Sequence, residues 1–268
     1  MTDEPLTPIP PAIRRRLICG NWKMNHTHFE AVQMIHHFSA SITEEDLAAV
    51  EVSIHPPFTD LRSVQTVLES EKISVVLGAQ HCYFEPKGAF TGEISPNMLA
   101  KLHVGYVIVG HSERRLILGQ SDEVVAKTLR AVLAAGMSPI LCVGESKDVR
   151  DSGGAQSHVM AQLRSALQGL SPALVQRCVV AYEPIWAIGT GVNASTMDAQ
   201  EMCQVIREEI ETIVGPGVGS GVRILYGGSV TPDNARSLCR QKDVDGLLVG
   251  GASLDGDSFA KVVKAAGR

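Results

Sequence analysis

Eight short apolar runs rich in β-branched residues recur along the chain. Within each run the apolar residues are continuous rather than alternating with polar ones, as is typical of strands buried on both faces in a parallel sheet. The runs are LICGNWKM (17–24), VEVSIHP (50–56), VVLGAQ (75–80), YVIVGH (106–111), SPILCVG (138–144), CVVAYEP (178–184), RILYGGSV (223–230) and DGLLVGG (245–251).

Segments with helical patterns separate the runs, and several of them have recognisable capping residues at their ends. Thr27 with Glu30, and Ser195 with Asp198, have the spacing of capping boxes, in which each residue bonds the other's backbone N–H. Ser121 precedes two acidic residues that suit a helix N-terminus, and Thr231 precedes a proline suited to the first helical position. Gly136 is expected to end the helix before the fifth strand.

Eight strand–helix units without a long linker predict one α/β domain. Such units can close into a (β/α)8 barrel, a parallel eight-stranded barrel ringed by helices. An open, doubly wound sheet would fit the same alternation, but the first βα turn, GNWKMNHT, lacks the G-x-G-x-x-G pattern of dinucleotide-binding sheets. We therefore predict a single barrel domain over residues 17–268, preceded by a flexible, Pro-rich tail over residues 1–16.

Composition narrows the possible partners. The net charge is −5, and the absence of a basic stripe argues against nucleic acid as a partner. No apolar run approaches the roughly 18 residues of a membrane span, and the N-terminus does not resemble a leader. The six scattered cysteines include no CxxC, and neither they nor the histidines have metal-ligand spacing. We expect reduced thiols, a cytoplasmic protein and no metal.

Reactive residues fall at the carboxyl ends of the predicted strands, where barrel enzymes carry their active sites. Asn21 and Lys23 follow the first strand on one side of its pleat, with Trp22 opposite. His111 ends the fourth strand and Glu183 the sixth, and the last two strands end in glycine-rich segments. Each residue alone has an ordinary structural explanation. Together they offer a base, an acid, a cation and bare backbone on one rim.

Several long motifs in the chain resemble those of a known enzyme family. GNWKMN (20–25), GAFTGE (88–93), VGHSERR (109–115), AYEPIWAIGTG (181–191), YGGSV (226–230) and LVGGASL (248–254) occur in this order from about residue 17 onward, and the chain is similar to the triosephosphate isomerases. The resemblance implies a TIM barrel that acts as a homodimer without a cofactor. It also implies the glycolytic and gluconeogenic interconversion of dihydroxyacetone phosphate and D-glyceraldehyde 3-phosphate by proton transfer through an enediolate.

The resemblance also assigns roles to residues. Glu183 is the base that moves a proton between adjacent carbons, and His111 is the electrophile, which in the usual description of this family is neutral and has its pKa lowered by a helix N-terminus. Lys23 and Asn21 complete the catalytic set, and together with Trp22 they belong to the substrate-binding segment. The phosphate is expected to meet backbone N–H groups of Gly189, Ser229, Gly250 and Gly251. The lid comprises Pro184, Ile185, Trp186, Ala187, Ile188, Gly189, Thr190 and Gly191. Thr91 is expected to reach the partner subunit.

Two departures and three alternatives remain at this stage. The lid is followed by Val192, Asn193 and Ala194 instead of the usual family hinge, and residues 1–16 have no counterpart in the family pattern. An isomerase of a four-carbon ketose phosphate, a tetrulose phosphate, would use the same site. An aldolase with a Schiff base at Lys23 and a non-catalytic phosphate-binding barrel are alternatives from other classes.

Overall fold

A computed structural model describes residues 14–187 and 194–268. Eight parallel strands form a closed barrel in chain order, and the last strand pairs with the first. The predicted barrel is therefore confirmed, and the open sheet is excluded.

The strands and helices alternate around the barrel. The strands are β1 (Leu17–Asn21), β2 (Glu51–His55), β3 (Val76–Ala79), β4 (Tyr106–Val109), β5 (Ser138–Val143), β6 (Val179–Tyr182), β7 (Arg223–Tyr226) and β8 (Gly246–Val249). The helices are α1 (His28–Ala40), α2 (Glu44–Ala49), α3 (Leu61–Ser70), α4 (Pro96–Lys101), α5 (Ser112–Leu116), α6 (Asp122–Ala134), α7 (Lys147–Asp151), α8 (Ala155–Leu167), α9 (Pro172–Val175), α10 (Thr196–Val214), α11 (Pro232–Cys239) and α12 (Gly256–Gly267). Short 3₁₀ turns span Ile185–Ala187 and Gly251–Ser253.

The pleat of each strand divides the buried side chains into two layers. On β1, Leu17 and Cys19 belong to the small cluster that fills the barrel, whereas Ile18 packs into the larger cluster between barrel and helices. On β6, Val179 and Ala181 belong to the inner cluster in the same way. Because side chains alternate along a strand, the next inward positions at the carboxyl ends of these two strands are Asn21 and Glu183.

The predicted helix ends are present. The carboxylate of Glu30 accepts the backbone N–H of Thr27 at 2.8 Å. At the start of α10, Asp198 accepts the N–H of Ser195 at 2.9 Å and donates its own N–H to the Ser195 hydroxyl at 3.1 Å. Gly136, after α6, has a φ of +86°, which favours glycine. These local bonds fix where each helix leaves its loop.

The last three residues of the predicted tail contact the folded barrel. Arg14 Nε binds the carboxylate of Asp245 at 2.6 Å, Arg15 donates to the carbonyl of Val50 at 2.9 Å, and Arg16 donates to that of Ala266 at 2.8 Å. These contacts lie at the amino ends of the strands, opposite the predicted active site. The barrel's contacts thus begin before residue 17, while residues 1–13 lie outside the described part.

Two further predictions concern the whole chain. All six cysteines are buried free thiols, and burial raises the pKa of the Cys19 thiol to about 12. Among the residues that the structure describes, none of the helices has both the length and the apolar character needed to cross a bilayer.

Candidate active site

A cavity of about 300 Å³ opens at the carboxyl ends of the strands. It is lined by Asn21, Lys23, His111, Glu183, Gly227, Gly228, Ser229, Val230, Leu248, Gly250, Gly251 and Ala252. Most of the residues singled out from the sequence therefore meet in one place, although they come from five strand ends spread over 230 positions of the chain.

Glycines on the neighbouring strands make room for Glu183. A Cβ added at Gly144, after β5, would lie 1.8 Å from the carbonyl oxygen of Glu183. One added at Gly227, after β7, would lie 3.1 Å from its Cγ. At Gly144 a side chain would collide with the backbone of Glu183, and at Gly227 an added Cβ would crowd the side chain of Glu183. The carboxylate is consequently held inside the barrel mouth with 2% of the residue exposed.

The Glu183 carboxylate is surrounded by hydrogen-bond donors. His111 Nε2 lies 2.9 Å from Oε1, and the backbone N–H of Ser112 donates to Oε2 at 2.9 Å. The Ser112 hydroxyl donates to Oε1 at 3.3 Å. The first turn of α5 thus supplies both Ser112 groups and sets His111 at its N-cap.

These donors change the expected basicity of Glu183. Burial raises the pKa of a carboxyl group because it disfavours the charged form. Here burial is the largest single effect, but His111, the Ser112 N–H and the Cys142 thiol together outweigh it, and the pKa of Glu183 is lowered from its ordinary value. Burial therefore does not make this carboxylate a stronger base in this conformation. We call the conformation in which His111 and Ser112 engage both carboxylate oxygens the resting position.

His111 is subject to opposing effects. Burial lowers the pKa of the imidazole, but the Glu183 carboxylate and its hydrogen bond act in the other direction, and the pKa is raised from its ordinary value. The predicted lowering is therefore wrong while Glu183 faces the ring. Meanwhile the backbone N–H of Glu113 points at His111 Nδ1 at 3.3 Å, which leaves that nitrogen as an acceptor. The ring proton that faces Glu183 is accordingly on Nε2.

Lys23 stands in a left-handed backbone conformation with a φ of +54°. A strained backbone conformation of this kind is kept only where surrounding contacts hold the residue in place. Asn21 Oδ1 accepts the N–H of Lys23 at 3.1 Å, and Gln80 Nε2 donates to its carbonyl at 2.7 Å. The ammonium group pairs with Glu113 Oε1 at 2.6 Å, so the cation is aimed across the cavity mouth.

The far side of the cavity consists mainly of backbone. A Cβ added at Gly228 would lie 2.2 Å from the Tyr226 hydroxyl, so a side chain at this position would require the buried Tyr226 to shift. One added at Gly250 would lie 3.5 Å from Lys23 Cε, which shows how closely the lysine stem passes the segment after β8. Ser229 and Gly251 complete this wall. The wall combines exposed peptide groups with one nearby cation, an arrangement suited to an anion.

Two predicted site residues lie away from the cavity. Trp22 is fully buried and packs in the cluster between barrel and helices, so its side chain does not line the site. The reason is the pleat: Asn21 faces inward, and the next residue must face outward. Thr91 is exposed on the loop between β3 and α4 and does not reach the cavity of its own chain.

The predicted lid is described only at its start. Trp186 Nε1 donates to Glu145 Oε1 at 2.8 Å, and the Arg150 guanidinium lies 4.4 Å from the centre of the Trp186 ring. Ile188, Gly189, Thr190 and Gly191 of the lid, and Val192 and Asn193 after it, lie outside the described residues.

Besides Gln80, which bonds Lys23, sequence reasoning missed three polar residues that shape the site. Glu113 binds Lys23, Ser112 binds Glu183, and Glu145 anchors Trp186 while accepting the Tyr182 hydroxyl at 3.1 Å. The first two stand in the VGHSERR motif, where their proximity to His111 was the available signal. For Glu145 the only available sequence signal was its position two residues after the end of β5.

Within residues 14–187 and 194–268, no group of three or more His, Cys, Asp or Glu side chains is arranged to hold a metal ion. The cavity instead brings together a carboxylate, an imidazole N–H and an ammonium group. These groups can move a proton and stabilise negative charge on oxygen.

Known proteins resemble the chain over nearly its whole length. A family model described as triosephosphate isomerase matches residues 16–266. The triosephosphate isomerases of Saccharopolyspora erythraea, Corynebacterium glutamicum and Mycobacteroides abscessus are 51%, 49% and 48% identical to the chain over 249 residues. These alignments cover 93% of this chain and 95%, 96% and 95% of the respective relatives.

Proposed function

The chain belongs to the triosephosphate isomerase family, and we propose that four side chains at the barrel mouth divide the chemistry of its reaction. The enzyme interconverts dihydroxyacetone phosphate and D-glyceraldehyde 3-phosphate. In our proposal Glu183 moves the carbon-bound proton, His111 donates to the substrate oxygens, and Lys23 and Asn21 hold the substrate. The observation that carries this proposal is the 2.9 Å contact between His111 Nε2 and Glu183 Oε1 in a cavity that Lys23 also lines.

Glu183 must leave its resting position before it can act as the base. Its oxygens are occupied by His111 and Ser112, and donors that stabilise the carboxylate also weaken it as a base. When the side chain turns toward the substrate carbon, it loses these donors while burial remains. The pKa of Glu183 then rises, and the proton beside the carbonyl becomes accessible to it.

The same movement prepares His111. Once the carboxylate has left, Nε2–H is free to donate to a substrate oxygen. The largest of the effects that raised the imidazole pKa is then gone, and only the Glu113 carboxylate still acts in that direction. Burial then lowers the pKa, and the Glu113 N–H at Nδ1 favours the neutral ring. A neutral imidazole can stabilise the enediolate by donating a hydrogen bond to its oxygen without transferring a proton completely to it. Removing one such donor typically costs ~3–4 kcal/mol of transition-state stabilisation.

Phosphate binding is assigned to Lys23 and to backbone N–H groups of Ser229, Gly250 and Gly251. The proposal rests on the glycine-rich wall opposite the ammonium group. Gly189 is expected to add a further N–H from the lid, and the apolar lid segment is expected to exclude water when it covers the substrate. Binding energy from the phosphate would then be used at the reacting carbons.

We further propose a homodimer that forms through the loops after β1 to β4. These four strands are neighbours in the barrel, and most of the large exposed apolar side chains follow them: Met24, Phe29, Phe58, Phe90, Met98, Leu116, Ile117 and Leu118. Among the described residues, the buried atoms His81 Nδ1 and Arg114 Nε on this side lack partners within the chain. We expect Thr91, which is exposed on the loop between β3 and α4, to contact the second copy.

The six reduced, buried thiols support a reducing compartment, and we propose the cytoplasm. An enzyme of central sugar-phosphate metabolism acts on phosphorylated substrates that are held there.

A coupled isomerase assay tests the function. The purified chain should convert each triose phosphate into the other without added metal or cofactor, and Glu183→Gln should reduce kcat by orders of magnitude. Nothing in the cavity favours the four-carbon ketose phosphate, so that substrate should give a lower kcat/KM. A higher kcat/KM on the tetrulose phosphate, or a borohydride-trapped adduct at Lys23, would contradict the proposal.

A further inference from the structure

The loop between β1 and α1 contains two residues in left-handed backbone conformations. Among the described residues only four non-glycine positions have a positive φ, and Lys23 (+54°) and His26 (+74°) are two of them. Strained segments of this kind are kept in place by specific contacts. Gln80 and Asn21 hold Lys23, but His26 makes contacts of a different kind.

The His26 side chain links this loop to the segment after β8. Its Nε2 lies 3.1 Å from the carbonyl oxygen of Leu254. Leu254 directly follows the 3₁₀ turn Gly251–Ser253, which begins at the glycine wall of the cavity. The ring also meets the edge of Trp22, with 5.0 Å between ring centres and 82° between ring planes. Because a carbonyl can only accept, Nε2 carries the proton in this contact.

We propose that His26 is a positioning residue for phosphate binding: its hydrogen bond to Leu254 sets the distance between the Lys23 ammonium and the peptide groups of Gly250 and Gly251. The inference rests on the proposed function, because both elements are there assigned to the phosphate.

The geometry explains why one bond at this place matters. The stem of Lys23 passes near Gly250, where an added Cβ would lie 3.5 Å from Lys23 Cε, but this proximity involves no hydrogen bond and does not fix a direction. The His26 bond fixes the loops at a second point three residues further along the β1–α1 loop. A phosphate must be bound by both loops at once, and its affinity therefore depends on their separation.

The experiment compares three substitutions at His26 with one at a matched position. His26→Gly and His26→Asn both accept a left-handed backbone. Glycine has no side chain to bond Leu254, and the asparagine side chain is too short to replace the imidazole. His26→Gln can place an amide N–H near the carbonyl. His103 is the control: it also has a positive φ of +57° and bonds Glu69 at 2.9 Å, on the loop that leads from α4 into β4.

Phosphate affinity is measured by ³¹P NMR titration of each full-length variant with inorganic phosphate, which requires no turnover, and KM and kcat are measured in parallel. His26→Gly and His26→Asn should weaken phosphate binding and raise KM about fivefold, the factor that corresponds to one net hydrogen bond. Because the bond acts in the ground state and the transition state alike, kcat should change less than twofold. His26→Gln should recover part of the affinity, and His103→Asn should match the wild type.

Unchanged phosphate affinity in His26→Gly and His26→Asn would overturn the inference, as would a fall in kcat at constant KM. Unfolding of His26→Gly would also overturn it, since glycine suits this backbone and loss of the fold would mean that the side chain serves stability alone. If the wild-type chain bound phosphate but did not isomerise trioses, the proposed function would fail independently of this result.

Discussion

Gly144→Ala provides a steric test of how Glu183 is positioned. Gly144 follows β5 beside the backbone of Glu183, and its φ lies outside the positive range, so alanine introduces no backbone strain of its own. The added Cβ would lie 1.8 Å from the carbonyl oxygen of Glu183 and 2.7 Å from its carbonyl carbon. Both atoms belong to the backbone and cannot turn away as a flexible side chain would.

The size of the effect follows from these distances. Carbon and oxygen atoms that are not bonded need roughly 3.3 Å between them, so the two backbones must separate by about 1.5 Å. Misplacing a reacting group by on the order of 1 Å can cost ~10²-fold in rate. We therefore expect kcat to fall by about 100-fold or more. Overpacking should also lower the stability by about 1–3 kcal/mol.

The assay is steady-state isomerisation at a temperature well below the thermal midpoint of each variant, with circular dichroism to check the fold. Gly221→Ala is the matched control, because its added Cβ would find its nearest neighbour at 3.6 Å, an ordinary contact, on the loop before β7. It should keep the wild-type kcat. A folded Gly144→Ala enzyme with kcat within threefold of the wild type would refute the claim that catalysis depends on the position of Glu183.

Three further predictions concern the same site and the proposed dimer. Glu183→Asp keeps the charge but retracts it by about one bond, so kcat should fall ~10²-fold in the coupled assay, and an unchanged kcat would exclude Glu183 as the base. Thr91→Arg should shift the sedimentation profile from dimer toward monomer, and an intact dimer would count against this loop as the contact. The pH dependence of stability gives the third. Because the folded pKa of Glu183 is lowered from 4.5, its carboxylate stabilises the fold above about pH 4.5, and this contribution is lost as the pH falls through the folded value. The pKa of His111 is raised from 6.5, so its contribution is present below about pH 6.5 and is lost as the pH rises through the folded value. Glu183→Gln removes both effects, so its thermal midpoint should vary less with pH than that of the wild type, and an equally steep profile would contradict the assignment.

The sequence was sufficient to predict the barrel because the apolar runs, the helix-capping residues and the number of strand–helix units all indicated the same fold. Continuous apolar runs indicated buried parallel strands, and all eight were found, each ending one to four residues before the end of its run. After every strand except β1, where Trp22 follows, the loop begins with a glycine, a proline or a polar residue. The same two-residue period that places Val179 and Ala181 inside the barrel also directs Glu183 into its mouth. The same period placed Trp22 on the opposite side of the pleat, and only the family resemblance assigned Trp22 to the substrate-binding segment.

The sequence pattern could not predict which groups contact the Glu183 carboxylate in the resting position. Burial was foreseeable, but the sign of the pKa shift depends on which donors face the carboxylate, and these come from His111 and Ser112, more than 70 positions earlier in the chain. Gln80 and Glu145 were missed for a similar reason. Each is an ordinary polar residue in a loop, and only the closed barrel brings it to Lys23 or Trp186.

The central claim is that Glu183 leaves His111 and Ser112 to reach the substrate carbon, and that this one movement frees both the base and the hydrogen-bond donor. The most direct test is a crystal structure of the enzyme with a phosphate-bearing hydroxamate that mimics the enediolate. The account predicts a Glu183 oxygen roughly 3–3.5 Å from the atom that replaces the reacting carbon, with His111 Nε2 donating to the oxygens of the mimic. A bound mimic with Glu183 still hydrogen-bonded to His111 and Ser112 would contradict it.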